Sequence, residues 1–266
     1  ISYAAAVIYM YKLTRVDFEK EDAFRSAVYL SIFPTAYFLH AGYTESLYIA
    51  LTLASFYYAR NGRWALCGVF GMLAAATRIT GIILVPGLII KYLSHRQYRL
   101  MYVRPNSLWI GLTALGLLAY LIINFITYGD PLAFLEIQKA HWSKGLALQH
   151  EGFLAALGST EWRPPSEGML GGYMEIVFAI LGLALVVFCF FRLRFSYCVY
   201  ALLTWLIFTS TAFWLSIPRY TLALFPIFIL LSLLGRRSGV NYLITYISLI
   251  FYALFLSHFI MFRWAF

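Results

Sequence analysis

A carboxylate and two guanidiniums stand out because they interrupt strongly apolar sequence. Glu45 heads the run YTESLYIAL, Arg78 separates two apolar runs in AAATRITGII, and Arg219 follows a proline in SIPRYTLAL. Ionisable groups in such surroundings are costly and need a partner or a function. A guanidinium fork suits a phosphate or a carboxylate, and a carboxylate can orient or deprotonate a hydroxyl. These three residues predict either an anion-binding site or a set of internal ion pairs.

The composition indicates a membrane protein with several spans. Of the 266 residues 62% are hydrophobic and 12% are charged, about half the charged fraction of a soluble domain. Backbone in lipid must satisfy its hydrogen bonds within helices, so we expect an all-α fold, a polytopic transmembrane helical bundle. We predict a single transmembrane domain over residues 1–266 with about nine to ten membrane helices, at 1–12, 23–39, 44–60, 64–78, 80–93, 106–127, 171–191, 196–215, 218–234 and 241–261.

Basic residues set the predicted orientation. If the loop at 12–22 is cytoplasmic, 14 of the 20 Lys and Arg residues fall on that side and 6 on the other. The formal charge of +9 is then a topology signal, and no nucleic-acid partner is expected. The only long loop, 128–170, becomes extracytoplasmic. It opens with Asp130 and Pro131, which are typical of a helix start, and its amphipathic sequence suits short interfacial helices.

The region 64–93 decides between two topologies. Both of its ends are basic, and its length fits either two short crossings or one long helix. A single helix would bury Arg78 in the middle of the membrane. The charge distribution therefore favours a hairpin with Arg78 at its apex, below the outer headgroups and facing protein or a wet cavity.

With this orientation the polar residues of interest gather on the extracytoplasmic side. They are His40, Tyr43, Glu45, Arg78, Asp130, Gln138, Lys139, His141, Trp142, Arg219 and Tyr220. Arg219 lies at a predicted helix start, where free N–H groups already favour an anion. Simpler roles stay open, with Glu45 as a first-turn helix acid and Tyr43 and Trp142 as aromatic-belt anchors.

Other kinds of chemistry have little support. The histidines show neither HxxxH nor HxxE spacing, and the three cysteines lie in apolar runs, so we expect no metal site. No GxGxxG, Walker A or GxSxG motif occurs, which argues against a nucleotide-using enzyme on the cytoplasmic side. We predict no cofactor.

Several stretches resemble the PIG-V-like mannosyltransferases. They are FPTAYFLHAGYTESLYIAL, the basic turn with RW, LAAATRITGIILVPGL, the loop start YGDPLAFLEIQKAHW and the late PRYTLALFPIFILL. The resemblance covers about residues 30–235 and implies a polytopic glycosyltransferase of the GT-C class. It further implies an inverting transfer of a sugar, mannose, from a polyprenyl-phosphate donor in the bilayer on the lumenal or periplasmic face.

The resemblance also implies roles for residues. We place the donor phosphate at Arg78 and Arg219, with Lys139 or Lys144 assisting, and we give Glu45 an accessory catalytic role. The predicted substrate-binding residues are His40, Tyr43, Gln138, Trp142 and Tyr220. Trp142 is expected to stack on sugar.

The family's catalytic acid is expected in a first outer loop, after the first helix. This sequence begins at Ile1 inside an apolar run and has no such loop, so we expect an N-terminally truncated chain whose main acid lies upstream. Two alternatives stay open. One is a transporter or flippase for a lipid-linked sugar, and the other is a non-catalytic membrane subunit that binds a partner through 128–170. The short loops favour a bacterial plasma membrane over the endoplasmic reticulum.

Overall fold

A computed structural model describes residues 1–142, 145–162, 169–263 and 265–266, and over these it is helical, as predicted. No strand occurs in this part of the chain, which has one isolated β-bridge, between Leu146 and Thr211. The helices are α1 (Ser2–Asp17), α2 (Lys20–Ile32), α3 (Glu45–Arg60), α4 (Trp64–Thr77), α5 (Leu84–His95), α6 (Leu112–Tyr128), α7 (Ala133–Trp142), α8 (Gln149–Trp162), α9 (Met174–Arg192), α10 (Phe195–Thr209), α11 (Ile217–Tyr220), α12 (Phe225–Leu234) and α13 (Ser238–Ile260).

Membrane-crossing length is reached by only some of these elements. Three continuous helical stretches are long and apolar enough, namely Pro105–Tyr128, Leu170–Arg192 and Ser238–Ile260. A fourth is the pair Ile217–Ala223 and Phe225–Leu234, which is bent by 82° at its break. Trp64–Thr77, Ile79–His95 and Phe195–Thr209 are apolar but shorter. The described residues thus support an integral membrane protein with three to four candidate spans, and the predicted count of nine to ten is not confirmed.

Two predicted segments end earlier than expected. The segment 23–39 breaks after Ile32, and its remainder is a short 3₁₀ turn, Ala36–Leu39. Pro34 explains the break, because proline disfavours helical backbone in the residue before it. The segment 196–215 ends at Thr209, because the residues that follow bond to a distant loop: the Ala212 N–H donates to the Gly145 carbonyl at 2.9 Å. The Thr209 carbonyl itself accepts a hydrogen bond from Trp214 Nε1, at 2.9 Å.

The chain turns back on itself between residues 64 and 93, as the predicted hairpin requires, whereas the membrane crossing of its two arms stays a prediction. The rings of Trp64, at the start of α4, and Tyr92, near the end of α5, lie 4.7 Å apart, so the far ends of the two helices are close together. Arg78 has extended backbone at the turn, and a 3₁₀ turn over Ile79–Ile83 leads into α5. Gly81 permits this tight return, because a Cβ there would lie 2.5 Å from backbone atoms of Ala75.

Helix α3 separates two clusters of charge. Near its C-terminal end Asp17 pairs with Arg60 and Arg194. The hydrogen bond from Arg194 to Asp17 raises the pKa of that guanidinium. Glu45 lies at the other end of the helix, about 24 Å away at 1.5 Å per residue. Charged residues predicted to lie on the cytoplasmic side therefore meet at the C-terminal end of α3. Glu45 and the two arginines predicted to lie on the other side meet at its N-terminal end.

Candidate functional site

Glu45 binds both outlying arginines. Arg78 Nη1 donates to Glu45 Oε1 at 2.7 Å, and Arg219 donates to the same oxygen from Nε and Nη2, also at 2.7 Å. The carboxylate side chain is 4% exposed, whereas the two arginines are 25% and 19% exposed. Three residues that are far apart in sequence therefore form one cluster, and the internal ion pairs left open by the sequence are present.

The charges of this cluster do not balance. One carboxylate faces two guanidiniums, and the described residues supply no second carboxylate within ion-pair distance of either arginine. Glu45 Oε2 is also buried and has no hydrogen-bond partner among those residues. Excess positive charge in a low-dielectric site is unfavourable unless an anion joins it. The cluster therefore has the charge and the free donor capacity to bind an anionic ligand.

Aromatic rings hold the guanidiniums in place. The Arg219 guanidinium lies 4.3 Å from the ring centre of Phe38 and 4.2 Å from that of Tyr43. The Arg78 guanidinium lies 5.9 Å from the ring of Tyr48. Cation–π contacts of this kind contribute about 0.5–2 kcal/mol and restrict the orientation of the fork. Both guanidiniums are therefore oriented before a ligand binds.

Glu175 fixes the short helix that carries Arg219. Its two carboxylate oxygens accept hydrogen bonds from the backbone N–H groups of Ser216 and Ile217, at 2.7 and 2.6 Å. The Thr35 hydroxyl donates to the Pro218 carbonyl at 2.9 Å. Arg219 does lie at a helix start, as predicted. The anion at that start is Glu175, however, so the expected backbone site for a ligand anion is already occupied.

A cavity of about 650 Å³ opens beside the cluster. Glu45, Arg78, Gln138, Arg219 and Tyr220 all line it, so the structure brings together five of the predicted site residues. The rest of the lining is mostly apolar and comes from α3, the α4–α5 turn, α6, α7, α10 and the segment around position 211. This volume lies in the range of small-molecule and cofactor sites.

The long loop contributes one wall of the cavity. Asp130 accepts a hydrogen bond from the Leu132 N–H, and α7 begins at Ala133, two residues later than predicted. The Phe134 ring packs edge-on against a tyrosine of α6, and Gln138, one turn further along α7, faces the cavity. The loop is further joined to the end of α10 by the bridge between positions 146 and 211 and by a hydrogen bond between the side chains at 149 and 210.

Several predicted residues lie outside the cavity. His40 is exposed and packs on the Tyr3 ring, with centroids 4.0 Å apart. Lys139 and Trp142 are exposed on α7 and do not line it. Tyr43 does not line it either and contacts Arg219 from behind. Lys144 lies outside the described residues. The direct substrate contacts proposed for His40, Lys139, Trp142 and Tyr43 thus have no support from the cavity geometry.

Glu175 and a group of buried hydroxyls near the cavity were not among the site residues predicted from the sequence. Glu175 is the only acidic residue in the apolar stretch Leu170–Arg192, and that isolation was the available signal. The hydroxyls are those of Tyr48, Thr52, Tyr200 and Thr204, in two Tyr-x-x-x-Thr patterns on α3 and α10. Within the described ranges, no group of three or more His, Cys, Asp or Glu could hold a metal ion.

Comparison with known families gives a match to the N-terminal part of the chain. The family model described as Mannosyltransferase (PIG-V) matches residues 1–145, more than half of the chain. The matched part includes Glu45, Arg78 and Gln138, whereas Arg219 and Glu175 lie beyond it. No curated protein and no solved structure matches the chain.

Proposed function

The chain belongs to the mannosyltransferase (PIG-V) family, and on that premise we propose that it transfers mannose from a polyprenyl-phosphate donor to an acceptor on the extracytoplasmic face of a membrane. The observation that carries the proposal is the convergence of Arg78 and Arg219 on the single carboxylate of Glu45. The cluster keeps an excess positive charge beside a cavity of about 650 Å³, which suits the phosphate of a lipid-linked sugar.

The arginines would act on the leaving group. In an inverting transfer the acceptor oxygen forms a bond to the anomeric carbon while the bond from that carbon to the phosphate oxygen breaks. The phosphate keeps the electron pair, and its charge changes from −1 to about −2. Guanidiniums that are already oriented stabilise this developing charge without reorganisation, and such electrostatic stabilisation is usually the largest single contribution to catalysis.

Glu45 would act through its two oxygens in different ways. Oε1 is committed to Arg78 and Arg219 and orients both guanidiniums. Oε2 makes no hydrogen bond to the described residues and is free to accept one from a ligand hydroxyl. We propose this accessory role for Glu45, in which it orients the acceptor hydroxyl while a separate base takes the proton that the hydroxyl loses.

The position of the cluster supports the proposed sidedness. It lies at the opposite end of α3 from Asp17, Arg60 and Arg194. Each cluster holds two arginines and one carboxylate, but the predicted topology puts 14 of the 20 Lys and Arg residues on the side of Asp17. Such an excess marks the cytoplasmic side, so we place the cavity on the other face. We further propose that α1, α2, α3, the three shorter apolar helices and the bent pair cross together with the three long helices, in a GT-C-like bundle of nine to ten spans. The short loops support a bacterial plasma membrane over the endoplasmic reticulum.

A transfer assay tests the proposal. Arg78→Gln and Arg219→Gln should each raise the KM for the polyprenyl-phosphate-mannose donor and lower kcat by about a hundredfold, the usual cost of one transition-state donor. Arg104→Gln is the matched control, because Arg104 is exposed in a loop beside Tyr92, at the far end of α5 from Arg78. Unchanged transfer and donor KM in both cavity variants would refute the phosphate assignment.

The same assay separates the alternatives. A broken span such as the pair around Leu224 is also found in transporters. A flippase would move the labelled lipid across reconstituted vesicles without passing mannose to an acceptor. A non-catalytic subunit that binds through 128–170 would do neither, and its cavity variants would leave the activity of its partner unchanged.

A further inference from the structure

Four hydroxyl-bearing side chains meet between α3 and α10. Tyr48 and Thr52 lie one turn apart on α3, and Tyr200 and Thr204 lie one turn apart on α10, so each pair shares one helix face. The hydroxyls of Tyr48, Thr52 and Thr204 all lie close enough to that of Tyr200 for weak hydrogen bonds. Two helices therefore bring their polar faces together in otherwise apolar surroundings.

Apart from their weak contacts with Tyr200, three of these four hydroxyls have no hydrogen-bond partner in the described part of the protein. The Tyr200 hydroxyl donates to the Ala223 carbonyl at 3.0 Å. The hydroxyl oxygens of Tyr48, Thr52 and Thr204 are buried, and none meets hydrogen-bond geometry with another described residue. Such groups are unfavourable in a packed core, where phenylalanine and valine would fill the same space. Their presence points to a ligand that completes the hydrogen bonds.

The group lies directly beside the charged cluster. Tyr48 is one helical turn beyond Glu45 on α3, and its ring faces the Arg78 guanidinium. Tyr48 and Thr204 both line the cavity of about 650 Å³, whereas Thr52 does not. The cavity therefore has two adjoining regions, one cationic and one made of hydroxyls.

We propose that Tyr48 and Thr204 form a subsite for the hydroxyl groups of a hexose. The inference rests on the proposed function, because it is the phosphate at Arg78 and Arg219 that places the attached donor sugar next to these side chains. Sugar hydroxyls are both donors and acceptors and so complement tyrosine and threonine hydroxyls, which have the same dual character. In this arrangement the anomeric carbon lies between the hydroxyl region and the cationic region, near the free Oε2 of Glu45.

Binding of two lipids to the purified protein tests the subsite. The ligands are polyprenyl phosphate and polyprenyl-phosphate mannose, which differ only in the sugar. The wild-type protein should bind the mannose lipid more tightly. Tyr48→Phe and Thr204→Val should each weaken that binding about three- to tenfold, the effect of one hydrogen bond, and leave the affinity for polyprenyl phosphate unchanged. Tm should change little, because neither hydroxyl has a hydrogen bond of normal geometry to the described residues.

Two matched variants control for the loss of a hydroxyl elsewhere. Tyr58→Phe removes the partner of Tyr9, at 3.2 Å, and Thr209→Val removes the hydroxyl that donates to the Trp205 carbonyl at 2.8 Å. Both should lower Tm slightly and keep the preference for the mannose lipid.

The outcomes separate the subsite from the proposed function. An equal loss of affinity for both lipids in Tyr48→Phe and Thr204→Val, or no loss for either, overturns the subsite. If Arg78→Gln weakens the binding of both lipids while Tyr48→Phe and Thr204→Val change neither affinity, the donor site is supported and only the subsite is wrong. If the wild-type protein binds neither lipid, the proposed function is wrong and the subsite is wrong with it.

Discussion

Among single residues, Glu45 has the least replaceable position in the site. Among the described residues it is the only acidic residue within ion-pair distance of Arg78 and Arg219. All three side chains are partly or fully buried. Removing one partner from a buried ion pair usually costs about 3–5 kcal/mol, because the remaining charge stays desolvated. The exposed fraction of the arginines, 25% and 19%, reduces the cost here.

Glu45→Gln should therefore lower the free energy of unfolding by about 2–3 kcal/mol. It should also increase the affinity for polyprenyl phosphate, since two guanidiniums are then left without a counter-charge. Thermal unfolding in detergent, with and without that lipid, measures both effects, and the lipid should raise Tm more in the variant than in the wild type. Glu136→Gln, exposed on α7, is the control and should change neither quantity. Weaker lipid binding in Glu45→Gln would contradict the electrostatic account of the cluster.

Among the elements, the segment between α10 and α11 determines where Arg219 lies. Ser216 has φ of 70°, in the left-handed region, and this bend directs its N–H and that of Ile217 toward Glu175. A carboxylate with two backbone N–H donors forms strong charge-assisted hydrogen bonds. The side chain of Glu175 thus sets the backbone from which Arg219 reaches Glu45.

Glu175→Gln keeps the shape of the side chain and removes its charge, so we expect it to destabilise the protein by about 1.5–3 kcal/mol. As a positioning residue it should also weaken binding of polyprenyl phosphate, measured on protein that is still folded. Ser216→Gly is the control, because glycine retains the N–H group and adopts positive φ without strain. A variant with lower Tm but unaltered lipid affinity would show that Glu175 supports the fold and does not position Arg219.

For the molecule as a whole, the sequence predicted most helix positions and the meeting of the outlying charges. Apolar runs, proline and basic turns are local signals, and they placed α3, α4, α5 and α6 within a few residues. The sequence did not reveal that Trp142 lies outside the cavity, nor that residues 210–216 leave the helix. Contacts between distant segments, such as that between Ala212 and Gly145, decide where this helix ends, and the capping of Ser216 by Glu175 is a contact of the same kind.

The two ends of α3 allow a direct test of how the molecule lies in the membrane. Gly42 precedes this helix, on the side of the Glu45 cluster, and Asn61 follows it, on the side of Asp17 and Arg60. Both positions are exposed, and a Cβ at Gly42 meets no atom within 4 Å, so a cysteine fits at either. The three native cysteines are buried and can be replaced by alanine to give a silent background.

In intact cells a membrane-impermeant maleimide should label Gly42→Cys, whereas Asn61→Cys should react only after the membrane is permeabilised. The physical reason is the uneven distribution of Lys and Arg, which keeps the end of α3 at Arg60 in the cytoplasm. The unsubstituted cysteine-free protein is the control and should not react in either state. Labelling of both cysteines from outside would mean that α3 does not cross the membrane. Labelling of Asn61→Cys alone would invert the orientation and place the Glu45 cluster, with its excess positive charge, on the cytoplasmic face.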